Sequence, residues 1–304
     1  IDEKNQLIWN QTYEMQSPMV DICEGYVAIA EKKGNKIYIM NTKGKSGEIE
    51  TTMPIQRVRV ANQGTVAILM EQEGTGYLQL YDKEGTFLAE GEVHTENSGY
   101  PLDIALSNDG RKMAVSQLNM NEGTVKNTIT FYNFGSVGQN EIDNIVGTYS
   151  YSDVIFPKVE FLTNDVMVAF GDEEAIIFEG TQKPQVKKEI SLKQEVHSIF
   201  YNEAYIGFVF NNDNEKEPYR MSVYNLRGTE EMTQNLDMNY SEVGFLENDE
   251  ICVRNELECS IYNLKGKRKF HSNFEKSIWK VFSTKNSTEY IFMMDKETQK
   301  VRLK

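Results

Sequence analysis

Cysteine, proline, histidine and net positive charge are all scarce in this chain, and each shortage removes a class of protein. Three cysteines are too few for the disulfide framework of a small secreted scaffold. Six prolines in 304 residues leave no proline-rich linker, and no composition shift marks an internal domain boundary. The three histidines, His94, His197 and His271, stand far apart without HxxxH or CxxC spacing, which speaks against zinc. No run approaches the ~18 apolar residues of a spanning helix, and no signal peptide opens the chain. Lys and Arg number 32 against 46 Asp and Glu, a net charge of −14. Phosphate backbones are bound through basic stripes, so nucleic acid is not expected as a partner. The locally basic stretches, Lys187-Lys188 and Lys265-Gly-Lys-Arg-Lys269, read as solvated strand faces.

What the chain does have is a repeat rich in aromatic and β-branched residues, with no amphipathic helix. Tyr262-Asn263-Leu-Lys-Gly266 ends a strand in a tight turn. Asn at the first turn position hydrogen-bonds the backbone ahead of it, and Gly at the fourth accepts positive φ. The phrase returns at Tyr224-Asn225-Leu-Arg-Gly228, Tyr81-Asp82-Lys-Glu-Gly85 and Met40-Asn41-Thr-Lys-Gly44. Tyr132-Asn133 and Phe178-Glu179 keep the strand but lack the Gly-terminated turn. The six equivalent positions, Met40, Tyr81, Tyr132, Phe178, Tyr224 and Tyr262, lie 41, 51, 46, 46 and 38 residues apart. That is the length of one four-stranded propeller blade. Apolar residues directly before each position and mostly polar ones before those give the period-two signature of a strand.

Two further strand-like runs precede each copy and a more polar one follows it. The expected fold is therefore all-β: a seven-bladed β-propeller of four-stranded antiparallel blades, spanning residues 1–304 as one domain. The seventh repeat supplies three strands, at Trp279–Phe282, Tyr290–Met294 and Lys300–Leu303. The N-terminal run 7–14 is expected to complete that blade and close the ring.

Several motif-like stretches fail on spacing. Gly44-Lys45-Ser46 lacks the upstream glycine and following helix of a phosphate loop. There is no G-x-S-x-G nucleophile elbow. The acidic run from Asn211 to Glu217 lacks the Gly and bidentate Glu of an EF-hand and reads as a hairpin tip. No cofactor or metal is expected. Cys252 and Cys259 flank the Asn255-Glu256 turn and are expected opposite each other, where the geometry permits a cross-strand disulfide; two reduced buried thiols are the other reading. Cys23 reads as a small core residue.

Two sets of residues are candidates for binding. The first strand of each propeller blade lines the central channel, and aligning those strands gives Asp21, Arg57, Asp103, Lys158, His197, Glu242 and Lys280. Their signs nearly alternate. Mutual neutralisation of neighbouring blades accounts for such a ring; a polar-ligand or ion site on the axis is the functional alternative. The second set sits on two long hairpins between the second and third strands of blades three and five, residues 117–126 and 211–218. Long polar loops on a rigid scaffold carry function more often than structure, and Asn119, Met120, Glu122, Asp213 and Glu215 are the expected contacts.

Ser107-Asn-Asp-Gly-Arg-Lys-Met-Ala-Val115 resembles the S-P-D-G-[RK]-x-x-A-V phrase of WD40-like and TolB-like propellers, with Asn108 in place of Pro. Over its whole length, the chain with its Y-[ND]-x-x-G repeats resembles a family of Gram-positive bacterial proteins classed as a domain of unknown function. That resemblance implies a membrane anchor upstream of Ile1, an extracytoplasmic propeller, and no catalytic residues to carry over. The resulting expectation is a non-enzymatic binding or scaffold propeller for a protein or cell-envelope component. The alternative is a small-molecule or sugar-processing enzyme with its site over the channel, for which Asp21, Asp103 and Glu242 are the available carboxylates.

Overall fold

Alternating apolar and polar residues broken by Asx-Gly turns produce short antiparallel strands here, as period-two burial requires. The computed structural model describes residues 9–94, 99–121 and 123–303. Among these, the strands form seven antiparallel sheets, each hydrogen-bonded in the order in which the chain makes its strands. Six sheets have four strands and the seventh, Ile278–Ser283, Glu289–Met294 and Glu297–Arg302, has three. The other first strands are Pro18–Cys23, Ile55–Val60, Tyr100–Leu106, Lys158–Phe161, Val196–Tyr201 and Glu242–Phe245. The chain groups into two compact units, one ending at Gly171 and including Ala175–Lys187, the other made of Asp172–Glu174 and the residues from Lys188 onward.

The repeated turns form as their chemistry demands. Gly44, Gly85, Gly228 and Gly266 have φ of 124°, 87°, 77° and 75°, the left-handed region open to glycine without steric cost. At the last copy, Asn263 Oδ1 accepts from the N–H groups of Lys265 and Lys267, each at 3.0 Å. Asp82 and Asn225 repeat this pattern.

Each unit is held by apolar faces of successive sheets. In the first unit, Ile37 and Ile39 pack against Val58 and Ile68, and Leu69 and Leu80 against Ile104 and Met113. Phe131 and Phe178 meet edge-on at 5.0 Å. In the second, Met221 and Val223 face Ile251 and Val253, and Cys259 and Ile261 face Tyr290 and Phe292. Each such side chain, fully buried, contributes roughly 1.5–3 kcal/mol.

Three expectations are corrected. Of the anticipated closing strand, residues 7 and 8 lie outside the described residues, and residues 9–14 form no strand. They run along the first sheet instead: Trp9 Nε1 donates to the Thr42 carbonyl at 3.2 Å, and the Tyr13 hydroxyl meets Met40 Sδ at 3.3 Å, its ring 4.7 Å from that of Tyr38. Aromatic surface and a turn carbonyl offer these side chains more than a polar strand such as Glu297–Arg302. Cys252 and Cys259 are not opposite each other; the ladder pairs Cys252 with Ile261 and Cys259 with Arg254, so the cysteines are diagonal neighbours. Finally, residues 117–121 and 124–126 of the expected hairpin belong to its strands and not to its loop. Lys112–Asn121 and Thr124–Asn133 pair through to Asn121 and Thr124, because Gln117 and Asn127, both buried, find partners in Thr130 Oγ1 and Ser116 Oγ.

Candidate binding site

All seven aligned charged or imidazole residues lie on the first strands of the seven sheets, and each unit gathers its own. In the first unit the focus is Asp103, only 2% exposed. Its Oδ1 accepts from Arg59 Nη2 at 2.9 Å and lies 3.5 Å from Arg57 Nε; its Oδ2 takes the Val159 N–H at 3.2 Å and lies 3.4 Å from Lys158 Nζ. Lys158 also meets Glu160 at 2.5 Å. A buried carboxylate is tolerated only when surrounded in this way. Arg59 and Glu160 were not among the aligned candidates. The signal lay in the two-residue spacing of Arg57-Val-Arg59 and Lys158-Val-Glu160, which puts each pair on one strand face. The Asp21 Oδ2 accepts the Val60 N–H at 2.7 Å. Burial raises its pKa, and Glu160 adds to that, while the Val60 hydrogen bond, Arg59 and Lys158 oppose it. A cleft of 410 Å³ opens over this cluster, lined by Lys32, Arg57, Arg59, Asp103, Pro157 and Lys158 among others.

In the second unit Glu242 pairs with Arg254 and lies 3.5 Å from Lys280. Arg254, another residue the alignment passed over, also donates to the carbonyls of Ile278 at 2.6 Å and Trp279 at 2.8 Å. His197 joins no ion pair among the described residues; its ring lies 5.2 Å from Tyr219 and 6.0 Å from Tyr240. His197 and Trp279 each occupy the unpaired position of a β-bulge in the first strand, and such an extra residue re-aims its side chain. Of the seven, Arg57 and Lys158 lie beside Asp103 in the first unit and Lys280 beside Glu242 in the second.

Two further clefts lie at the ends of the strands where the first-to-second and third-to-fourth turns emerge. Residues 134–144 connect the third and fourth strands of the third sheet, where the Gly-terminated turn was missing from the repeat. They form two 3-10 turns, Gly138–Asn140 and Ile142–Asn144. Asn133 holds the segment, accepting from the Gly135 N–H and donating to the Gln182 carbonyl, both at 2.8 Å. Gly138 passes so close to the Asn133 carbonyl that no side chain fits there. Lys183 meets Glu141 at 2.5 Å. The Ser107–Arg111 turn stands against it: Asp109 accepts from Ser107 Oγ, its carbonyl takes Gln63 Nε2, and its N–H reaches Asn164 Oδ1. Lys112, 2% exposed, donates to Asp165 at 2.6 Å and to the carbonyls of Gly180 and Thr181, tying the third sheet to the fourth.

These pieces wall two clefts that share Asp109 and Arg111. One, of 740 Å³, is lined by Gln63, Leu80, Leu88, Phe134, Gln139 and Asn144 among others. The second, of 580 Å³, is mostly polar, with Asn133, Ser136, Asn164 and Gln182. The Arg111 side chain is 76% exposed between them. Volumes of this order suit a small ligand or the end of a larger one.

The hairpin candidates stand at the opposite ends of their strands. Met120 is 70% exposed and Asn119 half-buried on the third sheet's hairpin; Glu122 lies outside the described residues. Asp213 and Glu215 are exposed at the tip joining Tyr205–Asn214 to Glu217–Asn225. The two hairpins belong to different units.

Seven antiparallel sheets in sequential order also occur in solved propellers. Kluyvelomyces marxianus Hsv2 aligns over 91% of this chain and 88% of its own, at a TM-score of 0.58 and 10% identity. The Neurospora crassa Pan2 WD40 domain aligns over 94% and 90%, at 0.53 and 8%. The dihydro-heme d1 dehydrogenase NirN, in complex with DHE, covers 88% of this chain and 57% of its own, at 0.56 and 12%. At these identities the likeness concerns fold alone. The fold is a seven-bladed β-propeller. Within that class the chain matches, over residues 1–303, the family described as Family of unknown function (DUF5711), and it belongs to that family. None of the curated proteins matches it in sequence.

Proposed function

We propose that this propeller is a non-enzymatic binding or scaffold module whose ligand is a protein or a cell-envelope component. The observation that carries the reading is the pair of clefts beside Arg111, walled by the 134–144 segment. A four-stranded blade needs only a tight turn at that place, as four other repeats demonstrate, so the extra chain adds surface rather than core. The carboxylates available for acid–base work offer less support for catalysis: Asp103 and Glu242 are engaged by cations in their own units. The family resemblance adds an extracytoplasmic setting and an anchor upstream of Ile1. No helix among the described residues is long and apolar enough to cross a membrane, so such an anchor would lie outside them.

Immobilised protein exposed to purified wall polysaccharide and to solubilised envelope proteins tests this reading. Arg111→Glu is expected to weaken retention on the order of tenfold or more, since it reverses charge in both clefts. Trimming the hairpins that carry Asn119, Met120, Glu122, Asp213 and Glu215 is expected to leave retention unchanged. Loss on trimming with none from Arg111→Glu would move binding to the hairpin side. No retention of either material would overturn the proposal.

A further inference from the structure

Two of the three cysteines share one hairpin of the second unit, Cys252 on Ile251–Arg254 and Cys259 on Glu258–Tyr262. With Cys252 across from Ile261 and Cys259 across from Arg254, all four side chains project from one face of the sheet. Diagonal neighbours are ordinarily ~7–8 Å apart, but strand twist draws one diagonal of each pair together. Here the sulfurs are 3.6 Å apart. A disulfide requires about 2.05 Å, so the sulfurs have roughly 1.5 Å to travel, a distance that rotation about the two Cα–Cβ bonds spans. Both residues are buried, Cys252 at 8% exposure and Cys259 at 0%, against Ile261, Tyr290 and Phe292.

We propose that Cys252 and Cys259 form a disulfide when the chain folds in an oxidising compartment, stapling the second and third strands of the sixth sheet. The oxidant is a disulfide, either a small molecule such as oxidised glutathione or a protein disulfide. One cysteine, as thiolate, attacks it and expels the first thiol. The second cysteine, as thiolate, attacks the mixed disulfide, forms the Cys252–Cys259 bond and expels the second thiol. The two cysteines lose two electrons and two protons, and the oxidant, reduced, leaves as two thiols.

Timing follows from the surroundings. The Cys259 thiol is pushed far up by its contact with Cys252 and by burial, and the thiolate is the attacking species. The folded hairpin therefore resists oxidation, and once formed the bond is equally shielded from reductant. The redox state is set while these short strands are still open. The staple also has a structural reach. Two residues beyond Cys252, Arg254 grips the Ile278 and Trp279 carbonyls and pairs with Glu242, so a fixed hairpin holds that clasp in register. This proposal stands apart from the binding function, and neither depends on the other.

Reduced, unfolded protein is refolded in mixed reduced and oxidised glutathione, alkylated in denaturant and digested with trypsin. Trypsin cleaves after Arg254, between the two cysteines. The bridge therefore appears as two joined peptides, lighter by two hydrogens than the separate thiol peptides. The expected product links Cys252 to Cys259 and alkylates Cys23, and a Cys23→Ser variant gives the same link. Reduced protein that is already folded should acquire the bond more slowly in the same buffer, on the order of tenfold or more. Three alkylated cysteines after oxidative refolding, or a dominant link through Cys23, would overturn the proposal. Equal rates for folded and refolding protein would overturn its timing.

Discussion

Gly207 lies mid-strand in Tyr205–Asn214, and from the sequence alone an alanine there is tolerated if no other backbone approaches it. In the structure a side chain, rather than backbone, fills that space. Gly207 pairs directly with Phe200 on the neighbouring strand, and the Phe200 ring lies across the glycine. A Cβ at 207 would overlap the far end of that ring, with three of its carbons at 2.1–2.4 Å, closer than the 3.0 Å that real Cβ atoms keep. The ring has little room to yield. It is 4% exposed and packs 4.9 Å from Phe245. Gly207→Ala should therefore cost about 2–3 kcal/mol, the upper part of the range for overpacked cores. At roughly 2–4 °C per kcal/mol for a domain of this size, the thermal midpoint should fall by about 4–12 °C. Phe200→Ala alone should cost about 3–5 kcal/mol. In the double variant the added methyl occupies space the ring has left, so the two costs should fall short of additivity by at least ~1 kcal/mol. Urea denaturation of the four proteins measures all of this. A Gly207→Ala midpoint within ~0.5 kcal/mol of the parent, or strict additivity, would refute the steric account.

Gly228→Val and Gly266→Val, at φ of 77° and 75°, should each lose about 1–3 kcal/mol. Gly228 should suffer more because the Lys188 side chain crowds its Cβ position; equal, negligible losses by urea midpoint would contradict the turn assignment. Asp21 supplies a pH-dependent test. Its folded pKa is raised above 3.8, chiefly by burial, so its contribution to stability is present below that pH and is lost as pH rises through the folded value. Asp21→Asn removes this loss, and the stability difference in favour of Asn should grow as pH climbs from about 4 toward neutrality; a difference independent of pH would show that the carboxyl is not perturbed.

Much of the architecture was legible in residue order because it rests on local physics. Period-two alternation identifies a strand wherever one face is buried, and an Asx residue followed by Gly at the fourth position specifies its turn. Seven repeats followed from those two signals, as did the placement of Asp21, Arg57, Asp103, Lys158, His197, Glu242 and Lys280 on first strands. The diagonal placement of Cys252 and Cys259 was not legible, since a two-residue shift of register separates opposite from diagonal and the hairpin turn sets that register.

What only the tertiary structure decided are contacts between residues distant in the chain. Arg59 reaches Asp103 across 44 positions, and Lys112 reaches Asp165 across 53; no local pattern encodes either distance. Residues 9–14 alternate like a strand yet lie along the first sheet, because Trp9 and Tyr13 find a carbonyl and an aromatic surface there. The 134–144 segment showed in the sequence only as a turn that had been lost, and its role as the wall of two clefts depends on neighbours at Gln63, Arg111 and Gln182. Backbone propensity is written residue by residue, whereas burial and charge pairing depend on which surfaces the folded chain brings together.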